Sequence, residues 1–300
     1  MSPERPGPGA GGVTADGSWT RKYVVWVLAV SYVLQIAIAV GGGPGSRAFT
    51  VIGPALMFVP AIAALIVLRL SGAGWRGIRW GVGRPVYLLV AALIPTLVAI
   101  AFVVAMQALD AGSSSGLELA ASGATMESGL WLLGEGDQSF ARFLPNVVLS
   151  SLVVSVLAGL LAVGEEVGWR GYLQERLVSR YGLLRGVTAL GLVWAAWHVP
   201  LILQGYNFPE YPLLGAFVLF PLMGVCWSFL LAWLTIRGAS VWPAVLAHGS
   251  INGNLGSILG PVEPTGSRLV IDLILLVVVG VAALPAAIAL RSESRVTERV

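Results

Sequence analysis

Residues 144–171 read LPNVVLSSLVVSVLAGLLAVGEEVGWRG, an apolar run long enough to cross a bilayer that closes on Glu165 and Glu166 and is followed by Arg170. Ionisable groups in a membrane segment are costly, and they usually face a protein interior or a wet cavity. On a helix Glu166 and Arg170 stand one turn apart and can pair. Glu165 is rotated from Glu166 by about 100°, so it can point into the bundle instead. The rest of the chain has the same character. Hydrophobic residues make up 57% of its 300 residues and charged residues 11%, against about 25% charge in a soluble domain. This composition excludes a soluble domain and predicts an all-α integral membrane protein.

Apolar windows cover 23–40, 49–70, 86–109, 144–165, 184–203, 212–236, 240–259 and 269–290. Each is close to the roughly 20 residues that a transmembrane helix needs, which gives about eight spans. With the N-terminus in the cytoplasm, the cytoplasmic segments hold Arg5, Arg21, Lys22, Arg69, Arg76, Arg79, Arg84, Arg170, Arg176, Arg180, Arg185, Arg237, Arg291, Arg295 and Arg299. The other side holds only Arg47, Arg142 and Arg268. So uneven a split is what the positive-inside rule describes, and it predicts a multi-pass protein of the cell membrane with both termini cytoplasmic. No nucleic-acid partner is expected; the bilayer itself is the expected surround.

Residues 1–20, rich in Gly and Pro, read as a disordered tail. Arg21-Lys22 with the apolar run after it could be a signal peptide ending near Ala37-Ile38-Ala39. The long tail and the length of the run favour an uncleaved first helix. The loop 110–143 is acidic and rich in Ser and Gly, and reads as a flexible solvated loop, with capping of a site from outside as the functional alternative. Cys226, the single cysteine, reads as a buried structural thiol.

Two more spans carry polar groups. His198 lies in Trp194-Ala195-Ala196-Trp197-His198-Val199-Pro200, with Trp194 on the same helical face as a possible pocket wall. His248 lies in Ala247-His248-Gly249-Ser250-Ile251-Asn252-Gly253-Asn254, with Asn252 one turn on and glycines beside both. The bland readings are an architectural ion pair for Glu166 and Arg170, interhelical hydrogen bonds for the histidines, and close helix packing for the glycines. Taken together the chain supplies a carboxylate base candidate, two imidazoles and an amide on three helices. A buried carboxylate can take a proton from water, and imidazole and amide N–H groups can stabilise an oxyanion. The helical zinc-protease motif His-Glu-x-x-His is absent. A metal such as zinc remains open, with Glu165, His198 and His248 as the candidate ligands.

Glu165-Glu166-x-x-x-Arg170, then aromatic-x-x-x-His198, then His248-x-x-x-Asn252, in that order on successive late helices, resemble the CPBP family of CAAX prenyl endopeptidases and bacteriocin-processing or Abi-type proteins. The resemblance covers roughly residues 145–258. The second motif opens on Trp194 where the family often has Phe. The resemblance implies an intramembrane endopeptidase whose core spans 144–260, between helices 1–3 with their external loop (21–143) and a last helix with a cytoplasmic tail (261–300). It implies that Glu165 activates water, that Glu166 and Arg170 hold and tune the site, that His198 orients the water or binds a metal, and that His248 and Asn252 form the oxyanion hole. The expected partner is a membrane-associated peptide or protein, cut at or within the cytoplasmic side of the membrane. Two other classes are weighed beside it: a non-catalytic immunity or partner-binding membrane protein, and a proton-coupled transporter. The transporter lacks the expected repeat symmetry. One difficulty stands in the windows themselves, since they put Glu165 at a cytoplasmic helix end and His198 about 21 Å along its own helix.

Overall fold

The computed structural model describes residues 17–72, 74–127 and 129–297. Apart from its last four residues, the expected tail 1–20 lies outside these. Helix α1 (Gly17–Val40) takes in those four. It is followed by α2 (Arg47–Leu70), α3 (Val86–Ala108), α4 (Phe140–Gly168), α5 (Gln174–Tyr181), α6 (Leu183–Leu203), a short α7 (Pro212–Leu214), α8 (Phe220–Gly238), α9 (Trp242–Ser250), a short α10 (Gly256–Leu259) and α11 (Arg268–Thr297). The protein is a multi-pass all-α membrane protein. Among the described residues seven helices are long and apolar enough to span a bilayer.

The expected span over 240–259 is helical from α9 through α10, but it is not among those seven. Its apolar character is diluted by His248, Asn252 and Asn254. It survives in the bundle because it packs against α3 and α4 rather than against lipid. Asn254 Nδ2 donates to the Ser250 hydroxyl at 2.9 Å, and Ser250 Oγ donates to the Ala92 carbonyl of α3 at 2.8 Å.

The fourth helix also departs from its window. It does not end at Glu165. α4 passes through a π-helical turn (Trp169–Leu173) into α5, one continuous helical run from Phe140 to Tyr181. The carboxylates that read as a helix end are interior. They are tolerated there because a guanidinium and an imidazole meet them.

The loop 110–143 is not a flexible solvated loop. Strands β2 (Leu117–Ala120), β3 (Gly123–Met126) and β4 (Gly136–Ser139) form an antiparallel sheet, and β1 (Gly112–Ser114) pairs with β5 (Val262–Pro264). Leu117 and Met126 are buried against Phe102, Phe143 and Ile258. This anchors the sheet on the helix ends and fixes its position over α3 and α4.

Candidate active site

Close helix approach sets the frame. A Cβ on Gly164 would lie 2.5 Å from the Met57 carbonyl oxygen of α2, and one on Gly249 would lie 2.4 Å from the Ser155 carbonyl oxygen of α4. Small residues of this kind let backbones touch where lipid supplies no hydrophobic drive. The contacts place the carboxylates of α4 and the imidazole of α9 side by side. π-helical turns follow both, Trp169–Leu173 after Glu165-Glu166 and Ile251–Leu255 after His248. Such turns recur at functional sites because they re-aim side chains within a helix.

Helix α6 is aimed by a proline. Pro200 cannot donate to the carbonyl of Ala196, and the Tyr32 hydroxyl of α1 donates to that oxygen instead, at 2.7 Å. One turn away Gln35 bridges the opened ladder. Its Nε2 donates to the Trp197 carbonyl at 2.8 Å, and its Oε1 accepts from Leu201 N at 2.9 Å. His198 lies between these braced groups. Its Nδ1 is 2.9 Å from the Trp194 carbonyl oxygen. A carbonyl only accepts, so the proton sits on Nδ1 and Nε2 carries the lone pair.

The cluster itself is buried and tightly bonded. Glu165, Glu166, Arg170 and His248 are each at most 3% exposed. Arg170 Nη1 donates to Glu166 Oε1 at 2.7 Å, and His248 Nδ1 donates to the same oxygen at 2.7 Å. Arg170 Nη2 also reaches the Ser228 hydroxyl at 3.2 Å. Glu165 faces the other way, as its helical position suggests. Its Oε2 accepts from Trp194 Nε1 at 2.9 Å and from Trp169 Nε1 at 3.3 Å. Its Oε1 stands 3.9 Å from His248 Nε2.

A cavity of about 610 Å³ has Glu165, His198, His248 and Asn252 in its wall, together with Trp194, Trp197 and Phe220. Four of the six expected site residues therefore share one space. Glu166 and Arg170 stand behind it. Tyr206, in the loop after α6, also lines it. Burial, and then the Glu165 carboxylate, push its phenol above the ordinary value, so it stays a neutral hydroxyl.

The depth difficulty disappears with the longer fourth helix. α5 and α6 form a hairpin about Gly182. Glu165 and His198 lie at nearly equal chain distance from that turn, about 25 Å along each arm at about 1.5 Å per residue. The two are level.

Other expectations need correction. Asn252 lies in a π turn, so it is not simply one α-turn above His248. It is exposed to the cavity, while Asn254 is the buried amide. The metal candidates Glu165, His198 and His248 line one cavity but form no ligand set. Among the described residues no group of three or more His, Cys, Asp or Glu side chains could hold a metal ion. The polar roles of Trp169 and of the Trp194 indole N–H go beyond what the motifs imply. For Trp169 a signal was available, because a buried tryptophan needs an acceptor for its N–H and Glu165 stands one helical turn before it; Trp194 lies on another helix, and nothing in the sequence pairs it with Glu165.

With this geometry in hand, residues 144–253 match the family model described as type II CAAX prenyl endopeptidase Rce1-like. CAAX prenyl protease 2 of Methanococcus maripaludis is 31% identical over 130 residues, 40% of this chain and 46% of that relative. The match therefore spans less than half of the relative's own length. The matched family region contains every residue of the candidate site, from Glu165 to Asn252. The likeness read from the three motifs is borne out, and both descriptions are those of proteases.

Proposed function

We propose that the protein is an intramembrane endopeptidase that hydrolyses a peptide bond of a membrane-associated peptide or protein, at the cavity lined by Glu165, His198, His248 and Asn252. The observation that carries this reading is the state of Glu165. One carboxylate oxygen is held by two indole N–H groups, and the other faces His248 Nε2 across 3.9 Å on the cavity wall. That gap is too long for a direct hydrogen bond and suits a bridging water.

In this reading Glu165 Oε1 takes a proton from a water while the water oxygen bonds to the scissile carbonyl carbon. The carbonyl oxygen becomes an oxyanion, and the Asn252 amide donates to it together with His248 Nε2, which carries a proton in the imidazolium form whose Nδ1–H is held by Glu166. The C–N bond then breaks as the proton held by Glu165 passes to the leaving amine. Glu166 and Arg170 act through His248, because Glu166 fixes Nδ1 and so turns Nε2 to the cavity. His198 offers its Nε2 lone pair to orient the water. No step passes through a metal.

The test is cleavage of a membrane-peptide library in proteoliposomes by wild type and Glu165→Gln, with a chelator arm. Cleavage that the substitution abolishes and the chelator spares is the expected result. Cleavage that survives Glu165→Gln removes Glu165 from the role of base. A folded wild type that cuts nothing, together with protection of cells that persists in Glu165→Gln, would favour the immunity reading.

A further inference from the structure

We infer that the protein carries a lipid-headgroup site at the Gly182 end of the bundle, built by Arg79, Arg170, Gln174 and Glu175, and that its ligand is a zwitterionic phospholipid with a primary ammonium, of the phosphatidylethanolamine class. The site shares no wall residue with the Glu165 cavity, so it stands whether or not the protein cleaves peptides.

The π turn Trp169–Leu173 creates it. An α-helix has 3.6 residues per turn, but a π turn closes from i to i+5, so residues four and five apart across it share a face. Arg170, Gln174 and Glu175 therefore look the same way. All three line a cavity of about 350 Å³, together with Val178 of α5 and Arg79 of the segment after α2. Thr235 and Ile236, near the end of α8, form another part of its wall. The Arg79 carbonyl accepts from Val241 N at 3.1 Å, which ties the segment after α2 to the residue before α9.

Two groups in this wall are buried without a partner. Gln174 is 3% exposed and Arg170 1%. Arg170 uses Nη1 on Glu166 and Nη2 on Ser228. Among the described residues its Nε makes no hydrogen bond, and neither does Gln174 Oε1. A buried polar atom left unpaired is costly, and native structures satisfy nearly all of them through protein, water or a ligand. The two atoms make opposite demands, since Nε needs an acceptor and Oε1 needs a donor.

The charges of the wall repeat that pairing. Arg79 Nε meets Glu175 Oε1 at 3.1 Å, and both side chains are about half exposed, so the cavity opens beside them. Each cation has its own carboxylate, Arg170 with Glu166 and Arg79 with Glu175. A simple anion therefore finds no net attraction here, whereas a molecule that carries an ammonium and an anion together matches both halves. Phosphate oxygens suit Arg170 Nε and Arg79, and an ammonium donates to Gln174 Oε1 and Glu175. A choline headgroup fails the second half, because its quaternary nitrogen has no N–H.

The level of the cavity selects a lipid as the source. The rings of Trp80 and Trp242 lie 6.4 Å apart. Trp242 Nε1 donates to the Trp80 carbonyl at 2.7 Å, and Trp80 Nε1 donates to the Trp75 carbonyl at 3.0 Å. Tryptophan gathers where bilayer meets water, and Trp80 and Trp242 adjoin the wall residues Arg79 and Val241 in the chain. The cavity thus sits at headgroup depth. Its volume is room for roughly ten waters at about 30 Å³ each, ample for a phosphoethanolamine group, and Val178, Ile236 and Val241 offer apolar surface to its carbons.

The test is native mass spectrometry of the full-length protein, purified in detergent and titrated with phosphatidylethanolamine, phosphatidylcholine and phosphatidylglycerol of one acyl composition. Phosphatidylethanolamine is expected to stay bound, about 10- to 100-fold more tightly than phosphatidylcholine, which leaves Gln174 Oε1 without a donor. Gln174→Met is expected to erase the preference. Val178→Phe, which fills the cavity, is the second variant should the first fail to fold. Lys22→Ala, at the same end of the bundle but outside this wall, should retain it. Soluble phosphoethanolamine should compete for the site. No retained phosphatidylethanolamine, or equal affinity for it and either other lipid, overturns the assignment, as does a preference that survives either cavity variant. Binding of soluble phosphoethanolamine with none by the diacyl lipid overturns the lipid source. The readout needs no turnover, so failure here and failure of the Glu165→Gln test are separate results.

Discussion

His248 on α9 and Arg170 on the α4–α5 run meet on one atom, Glu166 Oε1, each at 2.7 Å. Two cationic-capable donors on a single carboxylate oxygen make Glu166 the joint between the helices. Glu166 is fully buried, and so is its partner Arg170. Removing one member of a buried pair leaves the other charge uncompensated, which costs about 3–5 kcal/mol. Glu166→Ala is therefore expected to lower stability by that amount in detergent unfolding. Glu166→Ala combined with Arg170→Ala should be less destabilised than the sum of the two single variants, since neither charge is then stranded. Additive losses would show that the pair does not couple.

The indole donors give a second prediction. Trp194→Phe keeps the ring beside His248, which lies 5.3 Å away between centroids, and removes the N–H that holds Glu165 Oε2. A hydrogen bond to a charged group is worth about 1.5–3 kcal/mol. If the bond positions the base, kcat should fall about 10- to 100-fold with KM little changed. Trp169→Phe removes the longer contact, 3.3 Å, and should cost less. The kcat and KM of both variants decide it, and a change confined to KM would place the tryptophans in binding instead.

The sequence made the spans legible because hydropathy is a sum over many residues and survives a few polar intruders. It failed where the intruders were the site. Glu165 and Glu166 looked like a helix end because an isolated carboxylate pair is too costly in a span. Part of their compensation is local, from Arg170 and Trp169, but the rest comes from His248 and Trp194, which are remote in the chain. His248, Asn252 and Asn254 made the 240–259 window less apolar than a lipid-facing helix needs, and only contact with α3 and α4 explains its depth. The strands of 112–139 are short and rich in Gly and Ser, so no alternation marked them. The motif residues themselves were legible, since charge and imidazole in an apolar run stand out. The tryptophan N–H groups were not, because tryptophan is unremarkable in a membrane helix until its acceptor is known.

The α4–α9 contact yields a third prediction. A Cβ at Gly249 meets backbone, the Ser155 oxygen at 2.4 Å and the Gly159 nitrogen at 2.5 Å, so neither neighbour can swing away. Gly249→Ala must push α9 from α4 and carry His248 with it. Overpacking of this kind costs about 1–3 kcal/mol. Gly256→Ala is the control, because nothing lies within 4 Å of its Cβ. The thermal midpoint in detergent should fall for the first variant and hold for the second. Equal midpoints would mean that the helices separate freely.

The bracing of α6 by α1 yields the last. Gln35 is fully buried and satisfies two backbone groups of α6, the Trp197 carbonyl and the Leu201 N–H. Gln35→Leu is close in volume and leaves both unpaired in an apolar setting, at about 1–3 kcal/mol for each stranded group. The flanking Tyr32 bond to the Ala196 carbonyl remains, so α6 should stay in place while its ladder shifts near Pro200. His198 is the side chain carried by that segment. The variant is therefore expected to lose stability and also to lose cleavage in the fraction that stays folded. Gln35→Glu, which retains the acceptor for Leu201 N but not the donor for the Trp197 carbonyl, should fall between the two in stability. Full cleavage by folded Gln35→Leu would separate the brace from the site and make α1 a stabilising helix alone.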